Sequence, residues 1–339
     1  MDLIKEAGAG PRILTARHIS AEKAPPELNT ATFNTTLLCD NFSTEPDFHT
    51  YLAGLGSYAH VIFPLSGVCV VLLVLLYLMT LRNVRAQSKQ GWGNVAVVLS
   101  VYPLVGFCAF LVVLLPRVRI LSEAIAQEVV MVAMYFFYCY IIAECGGKDL
   151  MVRKAGGATL ATRVLPCCCW PCCVIPQPQL QKKHLTWIGY LVLQMSIIQA
   201  IIYLVILILW AEDTQLYVSA FSYLQPLVAA SIVGGVWGAV MCVRAGAGAG
   251  AGALRGRLLL LQLALFAVKL QLGAAKVLPR VARLPCVLDL HPVVTVNLFQ
   301  SCIMQIEMLL LSVLAHRVYR GERDKRPAHV GGKDRDNCI

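Results

Sequence analysis

The sequence predicts an all-α, polytopic membrane protein: a bundle of seven transmembrane helices with its N-terminus outside and its C-terminus inside. Three observations predict it. First, 58% of the 339 residues are hydrophobic and only 14% are charged, whereas soluble domains are about half apolar and about a quarter charged. Second, the excess is gathered into seven long runs. Crossing a hydrocarbon core of about 30 Å takes roughly 20 apolar residues, and backbone groups there must bond within their own segment, so each run is expected to be helical. Third, basic residues are unevenly shared between alternate loops, which sets orientation.

Residues 1–55 are polar and carry Pro11, Pro25, Pro26 and Pro46. They hold no run of roughly 7–15 apolar residues of the kind a signal peptide needs, so they read as an extracellular tail, and the first span is expected to act as the insertion signal. The seven-helix domain is placed at 56–318, with spans at 59–81, 93–115, 122–143, 186–210, 217–242, 258–278 and 293–315. The third span is weakened at its start by Glu123, Gln127 and Glu128, and the sixth carries Lys269 and Lys276. Residues 319–339 form a basic tail. With the N-terminus outside, loops 82–92, 144–185 and 243–257 and the tail from 316 hold 19 Lys and Arg, against 8 on the other side. The net charge of +10 therefore reads as a topology signal, and no nucleic-acid partner is expected. The basic tail is read as a solvated cytoplasmic end, with attraction to anionic lipid headgroups as the alternative.

Two sequons in the tail, at Asn34 and Asn41, are expected to be glycosylated, which requires a luminal, accessible segment. The Ala245–Ala253 stretch alternates alanine and glycine and is read as a flexible inner loop, because glycine weakens helices. The cluster Cys167, Cys168, Cys169, Trp170, Pro171, Cys172 and Cys173 admits three readings. Cys169 and Cys172 have the spacing of a zinc pair, with His184 within reach but no second pair. Thioacylation fits cysteines beside a bilayer, where each buried methylene of the fatty chain adds about 0.8 kcal/mol, and it is the expected state of all five. Unmodified thiols are the third reading. Disulfides are not expected in a reducing cytosol, and no metal or cofactor is expected.

The third span runs Tyr135-Phe136-Phe137-Tyr138-Cys139-Tyr140 into Glu144-Cys145-Gly146-Gly147-Lys148-Asp149, then through a basic spacer to the segment Pro166–Cys173. This order resembles the alpha subunit of the organic solute transporter family. Gln262, Gln271 and Cys286, and later Ile306, Glu307, Leu314, Arg317, Tyr319 and Arg320, resemble that family's sixth helix, outer loop and last helix. The resemblance spans roughly residues 55–325, and two features depart from it: the alanine–glycine run and Lys269. It implies a seven-helix subunit that pairs with a single-pass beta subunit. It also implies gradient-driven movement of amphipathic, steroid-like solutes such as bile acids and conjugated steroids. The implied location is the plasma membrane, often the basolateral face of epithelia.

Polar groups inside a span are costly and mark function or pairing. Gln262, Phe266, Lys269, Gly273 and Lys276 share one stripe of helix six. Asn297, Gln300, Ser301, Gln305 and Glu307 fall within an arc of roughly 160° on helix seven. A solute path between the two helices is expected, with Lys269 offering a positive charge and Gln262, Phe266, Gln300, Gln305 and Glu307 also contacting solute. The helix-three aromatics would guide the apolar body, although helix packing is the plainer account of those rings. The plainer account of Lys269 is an ion pair with Glu307 or Glu128, or snorkelling, and Lys276 near the outer end is expected to snorkel. Glu144 with Gly146-Gly147 reads as a polar helix exit, or as a hinge at the inner mouth. Gly234 and Gly238 permit close helix approach.

The rival functions are a seven-helix receptor and a membrane signalling or trafficking protein without transport. Helix three ends Glu144-Cys145-Gly146 without an acidic-Arg-aromatic triplet, and helix seven lacks Asn-Pro-x-x-Tyr. Both absences oppose the common receptor class. No metal-ligand pair on a helix, nucleophile motif or phosphate loop is visible, so the chain is not expected to be an enzyme or to use ATP directly.

Overall fold

Long apolar runs dictate long helices, and the computed structural model contains seven of them among its described residues. It describes residues 46–87, 91–164, 177–248, 254–281 and 290–320. The helices are α1 (Ala59–Gln87), α2 (Trp92–Leu114), α3 (Arg119–Glu144), α4 (Lys182–Glu212), α5 (Thr214–Gly248), α6 (Leu254–Val281) and α7 (Pro292–Arg320). Each is long and apolar enough to cross a bilayer. At 1.5 Å per residue the shortest reaches about 35 Å, more than the hydrocarbon core. The described residues contain no strand, only an isolated bridge between Thr159 and Gln179.

A chain that recrosses a bilayer alternates in direction from span to span, so the bundle has two end faces. A helix Phe48–Leu55 and a 3-10 turn Gly56–Tyr58 lead into α1 on the N-terminal face. There Tyr51 and Leu55 are buried with Val113, Leu290, Val294 and Leu298, and the Tyr51 hydroxyl donates to the Val113 carbonyl at 2.9 Å. Arg320 ends α7 on the opposite, C-terminal face.

α3 is the most buried span and α1 the least. α3 packs against α2, α4, α5 and α6, while α7 packs on α1, α2 and α6. The burial pattern is inverted relative to a soluble protein. Val61, Leu65, Val68, Ile201, Leu204, Leu227, Leu259, Leu263 and Leu310 are exposed, while Ser66, Ser122, Glu123, Gln127, Gln199 and Gln305 are buried. An apolar surface of that extent is tolerated only against lipid.

Backbone chemistry sets the details. α3 stops because Gly146 and Gly147 adopt φ of 86° and 100°, and the Gly147 N–H returns to the Ile142 carbonyl at 2.9 Å. This left-handed stop satisfies carbonyls that the helix leaves free. α4 and α5 approach closely. A Cβ on Gly235 would lie 2.7 Å from Met195 Sδ, and one on Gly238 would lie 3.2 Å from Leu191. Gly235 is thus the tightest position beside the anticipated pair Gly234 and Gly238. α5 extends through Ala245–Gly248 into the stretch read as a loop, while residues 249–253 lie outside the described ones. Alanine is the best helix former, and Gly246 is packed so closely that a Cβ would lie 3.1 Å from Leu254 and 3.2 Å from Ile141.

The aromatic run of α3 turns inward. Phe137, Tyr138 and Tyr140 are buried, and Tyr138 donates to the Leu185 carbonyl of α4 at 2.8 Å. These three rings pack between helices. Past the short helix Lys148–Lys154, the chain is tied to α5 by Trp237 Nε1, which donates to the Thr162 carbonyl at 3.0 Å. The cysteines at 167–173 and the sequons Asn34 and Asn41 lie outside the described residues.

Candidate functional site

α3 supplies the polar spine of the bundle. Glu123 and Gln127 are one turn apart on its buried face, 8% and 4% exposed. Opposite them α6 presents Lys276 and Lys269, seven residues and therefore about 10 Å apart along the axis. The two lysines meet different chemistry.

Lys269 donates to Gln127 Oε1 and, at 3.1 Å, to Gln199 Oε1 on α4. Gln199 Nε2 lies 3.4 Å from Gln127 Oε1, which closes the triangle. Among the described residues no carboxylate oxygen comes within ion-pair distance of Lys269. The anticipated ion pairs with Glu307 and Glu128 are therefore not formed at contact distance, although Glu128 still acts electrostatically on the ammonium. The physical reason is competition: Gln127 and Gln199 offer buried carbonyl oxygens where the ammonium ends, whereas Glu128 Oε2 and Glu307 Oε2 are buried without a hydrogen-bond partner in the described residues. Lys276, by contrast, does not snorkel. Its Nζ is 3.3 Å from Glu123 Oε2 and 4.0 Å from the centre of the Phe221 ring. Arg119 Nη1 holds the other oxygen of Glu123 at 3.1 Å.

Lys269 also opens onto a groove between α5 and α6. Between the facing sides of the two helices lies a cleft of about 1220 Å³. Its walls are aliphatic, from Ile232, Val236, Val240, Leu258 and Leu265, with Gln262, Phe266 and Lys269 on the α6 side. Arg244 and Arg255 stand at the end nearest the C-terminal face. Phe266 is 63% exposed, so its ring is free to cover a bound apolar body. Clefts that enclose drug-sized ligands run from about 300 to 1,000 Å³, with mostly apolar walls and a few placed polar groups. This one is large enough and has that character.

Of the six solute contacts expected from sequence, the structure gathers Lys269, Gln262 and Phe266 at this groove and separates the other three. Gln305 pairs with Ser66 of α1, Ser66 Oγ lying 2.8 Å from its Oε1 and 2.6 Å from its Nε2. Gln300 lines a small interior cavity with Arg119, Ser122, Glu123 and Ser301, and also an apolar groove of about 390 Å³ between α6 and α7. Glu307 is half-buried on α7 and lines neither groove. The stripe on α6 therefore faces α3, α4 and α5, where a path against α7 was expected. Gln127, Gln199, Arg244 and Arg255 are the site residues that the sequence reading missed. A mid-span amide such as Gln199 was the available signal, since uncompensated polarity in a span demands a partner.

Helices that expose aliphatic side chains while keeping amides, carboxylates and lysines inside define a multi-pass membrane protein with a polar interior and a lateral groove. Residues 59–324 match the family described as organic solute transporter Ostalpha, and the chain belongs to that family. A relative from Caenorhabditis elegans, organic solute transporter alpha-like protein 2, is 23% identical over 197 residues. The aligned stretch covers 57% of this chain and 55% of that protein, about half of the relative's length. No solved structure matches the chain.

Proposed function

We propose that the chain is the transport subunit for amphipathic, anionic, steroid-like solutes, which it moves down their gradient across the plasma membrane with a single-pass beta subunit. One observation carries the charge preference: a lysine inside the membrane, held by two neutral carboxamides, lines an apolar groove. The two amide oxygens take two of its three N–H groups and bring no charge of their own, so a donor is left for an anion. The aliphatic walls and Phe266 suit a rigid apolar body, and Arg244 and Arg255 draw anions toward the groove end. Family membership supports solute transport as the activity.

The excess of basic residues on the C-terminal face supports a cytoplasmic placement for it, with residues 1–55 outside and glycosylated at Asn34 and Asn41. Cys167, Cys168, Cys169, Cys172 and Cys173 are then acylated at the inner leaflet. The test is flux of a labelled steroid sulfate in cells expressing Lys269→Gln at matched surface abundance. A charge-assisted hydrogen bond contributes about 1.5–3 kcal/mol, so half-saturation is expected to rise about tenfold or more for the sulfate and to stay unchanged for a neutral steroid. Unchanged half-saturation for the sulfate overturns the reading.

A further inference from the structure

The Arg119–Glu123–Lys276 cluster is usually the kind of contact that is dismissed as a helix fastener, but its charges do not balance. Two cations share one carboxylate, with each oxygen of Glu123 committed to a different cation. The side chains of Arg119, Glu123 and Lys276 are 21%, 8% and 20% exposed, so solvent does little to neutralise the surplus positive charge. Buried charge without compensation is costly, and such sites recruit counter-ions. The ammonium and guanidinium together carry eight N–H donors, far more than one carboxylate accepts.

The surroundings fit an incoming anion. A cavity of about 40 Å³ adjoins the Arg119–Glu123 side of the cluster, with Arg119, Ser122, Glu123, Gln300 and Ser301 in its wall, and Lys276 lies behind Glu123, 3.3 Å from its Oε2. That volume accepts an anionic headgroup or a few waters, but not an apolar body. The body has its own place, because Gln300 also lines the α6–α7 groove of about 390 Å³, whose remaining wall is largely aliphatic and aromatic. Gln300 is thus common to the walls of both.

We infer that Arg119 and Lys276 form a second anion subsite, which binds the anionic headgroup of an amphipathic organic anion while its apolar body lies between α6 and α7. Glu123 is the chain's own anion occupying that subsite, and an incoming headgroup competes with it. The solute class rests on the function proposed above, whereas the subsite itself does not depend on Lys269. The Lys269 site opens toward the C-terminal face and this one lies toward the N-terminal face, on opposite flanks of α6. A solute released from one has a second cationic station about 10 Å along the helix.

The test uses the full chain in lipid nanodiscs, in a Lys269→Gln background that silences the first site. The probe is a labelled steroid 3-sulfate, with sodium chloride and an uncharged steroid alcohol as parallel arms. Binding and the ligand-induced rise in Tm are both read, because a ligand that binds only the folded state stabilises it. Glu123→Gln removes the internal competitor and is expected to tighten sulfate binding about tenfold and to enlarge the rise in Tm. Adding Lys276→Gln is expected to abolish that gain. If Glu123→Gln alone does not fold, Glu123→Gln with Arg119→Gln restores the original net charge and is expected to retain part of the gain through Lys276. Binding no tighter than with Glu123 in place, a gain that survives loss of Lys276, or an equal effect of chloride each overturns the inference. Failure of the Lys269 flux experiment leaves this titration readable, so the two readings fail separately.

Discussion

Lys269 and Lys276 stand on the same helix, about 10 Å apart, and show two ways in which the bundle meets a buried lysine charge. Lys276 lies against the Phe221 ring and a Glu123 carboxylate that it shares with Arg119, so the protein offsets only part of its charge. Lys269 meets only amide oxygens at hydrogen-bond distance. Two of its three donors are taken, and the partners that take them carry no charge. A helix fastener would gain from a carboxylate in place of Gln127; an anion site would be closed by one. The amides are the arrangement that keeps a lysine folded into the bundle and still able to attract an anion.

The contrast predicts unequal responses to partner removal, larger at Lys276. Replacing Glu123 by Ala leaves two cations in a low-dielectric site and is expected to cost about 3–5 kcal/mol, read as a fall in the unfolding midpoint of the purified chain. Replacing Gln127 by Leu deprives Lys269 of one of two acceptors and is expected to cost less, about 1–3 kcal/mol. Lys269→Met in the Gln127→Leu background is expected to recover much of that loss, because it removes the orphaned donor with the acceptor. No recovery would mean that Gln127 acts through another contact.

The contrast was only half legible in the sequence. Seven spans follow from hydrophobic length alone, because any run of that kind has one stable solution in lipid. That Lys269 and Lys276 share a stripe follows from helical period. Which helix that stripe meets does not, since period fixes a face but not a neighbour. Helix seven offered the broader polar arc, yet Gln305 spends its amide on Ser66 of α1. Gln127, noticed as an interruption of an apolar run, turned out to be the partner of Lys269. The deviation from apolarity was correct as a signal and incomplete as an assignment, because its meaning lay on two other helices.

The helix between the two lysines supplies the subtlest test. Gly273 lies midway between them, and a Cβ added there would meet nothing within 4 Å. Close packing thus gives no reason for glycine at this position, in contrast to Gly235 against Met195. There an added side chain must displace a buried neighbour, and overpacking of that kind costs about 1–3 kcal/mol. Gly273→Ala is expected to leave both lysine sites intact and to raise stability by up to about 1 kcal/mol through helix propensity, read in the unfolding midpoint. Solute half-saturation should not move. If Gly273→Ala instead slows flux while stabilising the chain, α6 bends at this residue during transport. The two lysines would then belong to segments that move relative to one another, and the fixed spacing between their sites would have to be given up.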